Sequence, residues 1–475
     1  MHNILLILVL GVCNFVLSQN KQILYDFSEI PQSLMVNPGT EADFQWYSGV
    51  PMLSGTSFQA GSSGISVNDL FANDGLDIND KFRDRVINGM SPKDDLSGNY
   101  QIELINAGYR GKNTDNFYSF GIYNEGDAIG YWFQDYALLG YEGNADKLNK
   151  RFDLGDLKTR GEILNVFHFG VSKKIDNKLT LGLRGKLYSG ILDFTSTKNK
   201  GYFVTNEGQN NVLANTINAD MELRSSGFVV FDAVNKKGGS TGDIIKRGFF
   251  GGDLGLGLDF GFTYHLNEQT VVTASILDLG FIYHSTDVLN YALKGSATVE
   301  GVEIILPDAI NNGDTDFWQD LIDEVEELVP FEENNKNYIT FRPTKLYGSL
   351  RYNFGEKIES KGSLDCNCNV SGGNSYRAKY ANSIGGQLYV INRPRGPQAA
   401  LSAFYLRRLG NVMAIKAAYT IDKYSFTNLG VGLSMQVGPV NLYFMADNLL
   451  AYQNVAASNY ASFQLGINII SWGKK

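Results

Sequence analysis

The residues able to do chemistry in this chain are few and scattered. Beyond His2, the histidines are His168, His265 and His284, each isolated and none in a metal-binding or triad context. Ala60-Gly61-Ser62-Ser63-Gly64 lacks the spacing of a nucleophile elbow. The glycines of 251–261 recur at strand period rather than in a phosphate-cradling loop before a helix. Cys366 and Cys368, in Asp-Cys-Asn-Cys-Asn, could close a small disulfide ring in an exported chain or stay free. Two thiolates lack the third and fourth ligands of a zinc site. The acidic run Asp69 to Asp80 offers oxygen ligands but departs from the EF-hand order, so a solvated loop is the plainer reading. These patterns call for no enzyme, no cofactor and no resident metal.

Six charges are more informative because of where they fall. Arg184, Lys186, Asp253, Asp259, Arg351 and Lys416 all share the parity of glycine and small polar residues, opposite a face of Leu, Phe and Tyr. Two readings follow. The charges could pair across a packed interior and hold it rigid, or they could line a polar conduit and set its selectivity.

The elements that position them are strands. From Asp253 to Tyr264, Leu254, Leu256, Leu258, Phe260, Phe262 and Tyr264 alternate with Asp253, Gly255, Gly257, Asp259, Gly261 and Thr263. The pattern recurs along most of the chain. An aliphatic face with aromatic ends, backed by a glycine-rich polar face, suits a barrel with lipid outside and a polar lumen inside. The expected fold is all-β: a single transmembrane antiparallel β-barrel of about 14 strands, with an N-terminal luminal hatch and long extracellular loops, one containing a short helix. The strands are expected near 44–61, 98–109, 115–134, 161–173, 178–192, 250–264, 268–285, 340–354, 376–391, 397–408, 411–421, 425–436, 439–449 and 459–471.

The organisation expected is a signal peptide over 1–18, a hatch over 19–43 and the barrel over 44–475. Ile4 to Cys13 is too short to cross a bilayer and ends in Val16-Leu17-Ser18, as a secretory signal does. No other segment reaches the length of an apolar transmembrane helix. The net charge of −9 excludes a nucleic-acid footprint. The outer-membrane lipid is the expected surrounding, with a hydrophobic ligand or other outer-membrane and periplasmic proteins as partners.

Connection lengths give a sidedness. Turns near 110–114, 174–177, 265–269, 409–411 and 436–439 are short, as periplasmic turns are. Long segments near 62–97, 135–160, 193–249 and 286–339 fall on the other face. Asp314 to Leu328 carries a helical apolar stripe. Asn124-Glu125-Gly126-Asp127 reads as a break in the third strand, a place for a side door. Residues 22–40 are apolar without strand period and read as a plug inside the lumen.

Asn37-Pro38-Gly39 before the first strand resembles the hatch motif of fourteen-stranded FadL-like barrels, with Gly39 where alanine is usual. Ser275 to Ile282, Pro343 to Tyr347, Arg393 to Pro397 and Ala446 to Leu450 resemble an uncharacterised Bacteroidota outer-membrane barrel family that shares the form of the PorV and PorP barrels. The resemblance implies a plugged barrel. It acts either as a docking subunit of an outer-membrane assembly or secretion complex, the leading expectation, or as a FadL-like transporter of a hydrophobic solute.

Overall fold

The computed structural model describes residues 21–112, 115–208, 213–235, 240–300, 331–358, 379–425, 428–449 and 454–472. The expected signal peptide, the helix at Asp314 to Leu328 and the pair Cys366 and Cys368 lie outside the described residues.

Fourteen strands close on themselves by antiparallel pairing. The first, β1, is interrupted: Trp46–Gly49 and Thr56–Ser62 both pair with the second and the last strand. Next come β2 (Asp95–Arg110), β3 (Asn116–Tyr131), β4 (Thr159–Lys174), β5 (Leu179–Glu207), β6 (Asp253–His265) and β7 (Thr270–His284). The eighth, β8, is also split, into Tyr338–Phe341 and Lys345–Ile358. The circuit ends with β9 (Lys379–Arg393), β10 (Gly396–Leu409), β11 (Met413–Ile421), β12 (Asn428–Val437), β13 (Val440–Asp447) and β14 (Tyr460–Ser471).

Closure follows from the alternation. In β6, Asp253 and Asp259 are buried while Leu254, Leu256, Leu258 and Phe260 stand exposed on the outer face. Leu181 and Leu183 of β5, Leu346 and Leu350 of β8, and Leu442 and Phe444 of β13 do the same. An apolar belt of this kind is stable only against hydrocarbon, and closure leaves no unpaired edge there. The protein is therefore an outer-membrane barrel.

The long outer segments are not all loops. Beyond the belt, β5 runs on to Glu207 and pairs with Leu213–Ser226. That strand pairs with Asn290–Glu300, which pairs in turn with Phe331–Asn334. Arg151–Asp153 adds to the other side of β5. This outer sheet has a small core of Phe152, Leu154 and Phe203. The segments 193–249 and 286–339, expected as connections, thus carry strands. They lack a lipid face, so they lack the alternation that marks the barrel.

Two further expectations are corrected. The third strand is unbroken: β3 pairs with β4 through Asn124, Glu125, Gly126 and Asp127 without a register shift. The sixth strand starts at Asp253 rather than residue 250, because Phe250 sits at φ 66° in a tight turn. In the acidic outer stretch, Ser66 caps the Val67–Phe71 helix, and the Ser66 amide and hydroxyl both donate to the Asp69 carboxylate, which lowers its carboxyl from the usual range. Hydrogen bonding from Lys81 likewise holds Asp74 down to about 2. Among the described residues, no group of three or more His, Cys, Asp or Glu could hold a metal.

Candidate functional site: a hatch, a chamber and a gap in the wall

The segment from Lys21 to Phe44 folds inside the barrel. Ile23, Leu24, Phe27, Ile30, Leu34, Met35 and Val36 are all buried there. Its backbone is mostly irregular, with one short helix at Ser33–Val36, so its carbonyls need donors from elsewhere at membrane depth. The inward side chains of the wall supply them. Arg184 donates to the carbonyls of Leu34 at 2.8 Å and Met35 at 2.6 Å. Ser275 donates to Val36 at 2.6 Å and Thr263 to Gly39 at 2.9 Å. Lys416 Nζ and Gln387 Nε2 both donate to the Tyr25 carbonyl, at 2.6 and 2.8 Å.

Asn37, Pro38 and Gly39 form a turn pressed onto the wall. Asn37 Oδ1 accepts from the Gly39 amide at 2.8 Å, and its Nδ2 donates to the Phe262 carbonyl at 3.2 Å. A Cβ on Gly182 would lie 2.0 Å from the Pro38 carbonyl carbon. One on Gly261 would lie 2.1 Å from Asn37 Oδ1. Only glycine admits the turn at these two positions.

All six luminal charges named from the sequence point inward and are buried, but they do not form one site. Arg351 binds Asp26 Oδ1 of the hatch at 2.6 Å. Lys416 lies at Tyr25, with its ammonium 4.3 Å from the Phe404 ring centre. Asp253 sits near the outer rim, accepting from the Ser285 amide, Thr286 Oγ1 and Arg247, and 3.0 Å from His284 Nδ1. Arg184, Lys186 and Asp259 do come together, at 2.5 Å and 3.0 Å from the shared carboxylate.

That trio is one end of a chain of alternating charge. Lys186 also reaches Asp278 at 2.5 Å, and Asp278 pairs with Lys345 at 2.9 Å. Arg342 pairs with Glu125 and Glu162, and Arg393 with Asp127. Lys186, Asp278, Lys345, Arg342, Glu125, Glu162 and Asp127, with Lys21, Met35 and Val36 of the hatch, surround a small chamber of about 40 Å³. Leu277, Pro343, Tyr123 and Tyr347 give it an apolar side.

Sequence reasoning does not place Asp278, Lys345, Arg342, Glu162 or Arg393 among the luminal charges, and it reads Glu125 and Asp127 as a strand break rather than as partners in this cluster. The reason is visible in the wall. The β6–β7 register shifts between Ile276 and Leu279, and Asp278 adopts φ 61°. Its amide turns inward to Asp259 Oδ1 at 2.7 Å. On the other side, β7 and β8 pair at Leu277 with Lys345 and again at Phe281 with Phe341, with no ladder pair between. One backbone bond, from the Arg342 amide to the Gly280 carbonyl at 2.9 Å, crosses that stretch. Pro343 has no N–H to give. The wall therefore has a gap in its ladder between lipid-facing Leu279 and Phe341, directly beside the chamber. The signal was present: a proline inside an otherwise regular strand marks a bulge or break.

Several solved barrels resemble the chain. The Pseudomonas putida toluene transporter TodX is 10% identical, over 96% of this chain and 93% of its own, with a TM-score of 0.36. A TodX mutant described as a monoaromatic hydrocarbon channel is 10% identical over 93% and 94%, at 0.42. A Pseudomonas aeruginosa FadL homologue is 9% identical over 96% and 99%, at 0.38. TM-scores this low carry no argument about function. No curated protein matches the chain. Residues 38–447, from the hatch turn to the end of β13, match a family of unknown function, DUF5723. That match takes in most of the chain, and the protein belongs to this family.

Proposed function

We propose that the protein is a non-enzymatic transporter that admits a hydrophobic solute bearing a polar end. The gap between β7 and β8 carries this reading. A continuous ladder would seal the wall, whereas here three successive positions of each strand are unladdered beside the chamber. The apolar body of the solute suits Leu277, Pro343 and Tyr347, and its polar end suits the charges around Asp278. The paired charges keep the gap closed at rest, since Lys186 and Lys345 both hold Asp278 from the lumen side. The hatch separates the chamber from the periplasm. Purification under mild detergent, followed by extraction and mass spectrometry of bound small molecules, tests it. A hydrophobic compound recovered at near one per barrel supports transport; only protein companions and no such compound would oppose it.

The docking reading draws support from one observation, the outer sheet built on the extension of β5. A transporter of a small solute does not require it.

A further inference from the structure

Three side chains on the lipid-facing parity of the wall are polar. Asn124 of β3, Asn165 of β4 and Ser189 of β5 are neighbours on one rung of the ladder. They share the parity of Phe120, Phe169 and Leu183, which are exposed on the outer face. The rung beneath them is apolar: Ile122, Phe167, Leu187 and Leu256. Hydrocarbon offers such polar groups no partner. Yet Asn165 is 4% exposed and Ser189 0%, so another part of the chain covers them from outside.

The cover is Arg247–Gly251, the segment just before β6. Asn165 Nδ2 donates to the Gly248 carbonyl at 2.8 Å. Ser189 Oγ donates to the Arg247 carbonyl at 3.0 Å and accepts from the Phe250 amide at 3.0 Å. Asn124 Nδ2 donates to Asn165 Oδ1 at 2.7 Å, which holds the Asn165 donor toward the segment. Irregular backbone at a lipid face must have its polar groups satisfied by protein, and these bonds do that for three of them. The segment therefore lies against the outside of the wall and not across the mouth. Phe250 stacks on the lipid-facing Phe167 ring at 4.6 Å, and Phe249 meets the same ring edge-on at 6.1 Å. Both remain about half exposed. Rings laid over a belt residue from outside continue the belt, so their exposed faces meet acyl chains.

We propose that Arg247–Gly251 is a lipid-binding wedge, seated on Asn165 and Ser189, that inserts Phe249 and Phe250 among the acyl chains of the outer leaflet. The segment ends the outer excursion that β5 and Leu213–Ser226 begin, so the wedge ties the outer sheet to the bilayer. The inference is independent of the transport reading. Full-length protein in phosphatidylcholine vesicles tests it. Phe250→Trp adds one fluorophore, read as the difference from the parent, with acyl-chain-brominated phosphatidylcholine and aqueous acrylamide as quenchers. The added emission should fall by about half or more in brominated vesicles and change little with acrylamide. Phe249→Trp gives the same readout if the first variant folds poorly. Asn165→Leu with Ser189→Ala removes the seat while leaving apolar side chains at lipid-facing positions, which the barrel accommodates. In that background the added emission should lose its lipid quenching and gain acrylamide quenching. Quenching by acrylamide and not by brominated chains in the seated protein overturns the proposal, because the segment then lies in water. So does emission that neither quencher reaches, since protein then covers the rings, or lipid quenching that is unchanged when the seat is removed.

Discussion

Gly182 and Gly261 face each other across the β5–β6 ladder, and the Asn37–Gly39 turn of the hatch lies against both. Adding a methyl group at either place drives it into the backbone or side chain of that turn. Gly182→Ala and Gly261→Ala should each cost about 1–3 kcal/mol as an overpacking strain. The barrel should still insert, with a lower unfolding temperature on heated gels. Variants as heat-resistant as the parent would show that the turn does not need this slot.

The lipid face gives the second expectation. Leu256 projects outward, 58% exposed, and Leu256→Arg should cost about 2–4 kcal/mol if it meets the hydrocarbon midplane. Gly257→Ala acts from the other side, because its methyl would lie 2.2 Å from the Tyr188 hydroxyl. Folding yields into detergent micelles or lipid vesicles measure both. Normal insertion of Leu256→Arg would mean that the register places this residue elsewhere.

These two positions also show what the sequence makes legible. In β6 the side chains alternate without a slip from Asp253 to His265, so the inward charges and outward leucines can be read directly. The same holds for Arg184, Arg351 and Lys416 on their strands. Parity fails at Leu277 and Asp278, where the bulge adds residues and the Asp278 backbone turns inward. The partners across the lumen, such as Arg342 with Glu125, belong to strands far apart in sequence, so no local spacing announces them. The outer strands Leu213–Ser226 and Asn290–Glu300 have no hydrocarbon on one face to impose alternation. The hatch was readable by its apolar content without period. Its anchoring by wall donors to backbone carbonyls was not, because carbonyls carry no sequence signature.

Deleting residues 22–36 should leave the barrel inserted but open. Burial of even four of the seven apolar side chains there contributes about 6–12 kcal/mol before entropy is counted. Planar-bilayer conductance should rise from near silence to a steady ionic current. A deletion as silent as the parent would place the closure in the charge layer around Asp278 and Arg342 instead.

Sidedness is tested on whole cells. A cysteine at Asp146, exposed beyond the belt, should react with an impermeant thiol reagent, and one at Asn177, in the short turn before β5, should not. Labelling at position 177 alone would invert the barrel.

The β7–β8 gap is best tested by closing it. Phe281 and Phe341 pair across β7 and β8 at the edge of the unladdered stretch and both face lipid, so the double variant Phe281→Cys with Phe341→Cys should form a disulfide that pins the gap on oxidation. Uptake of a radiolabelled alkyl aromatic into cells or proteoliposomes is then measured before and after reduction. Uptake that falls on oxidation and returns with reductant is the expected result. Equal uptake in the locked and reduced states would contradict passage through this gap.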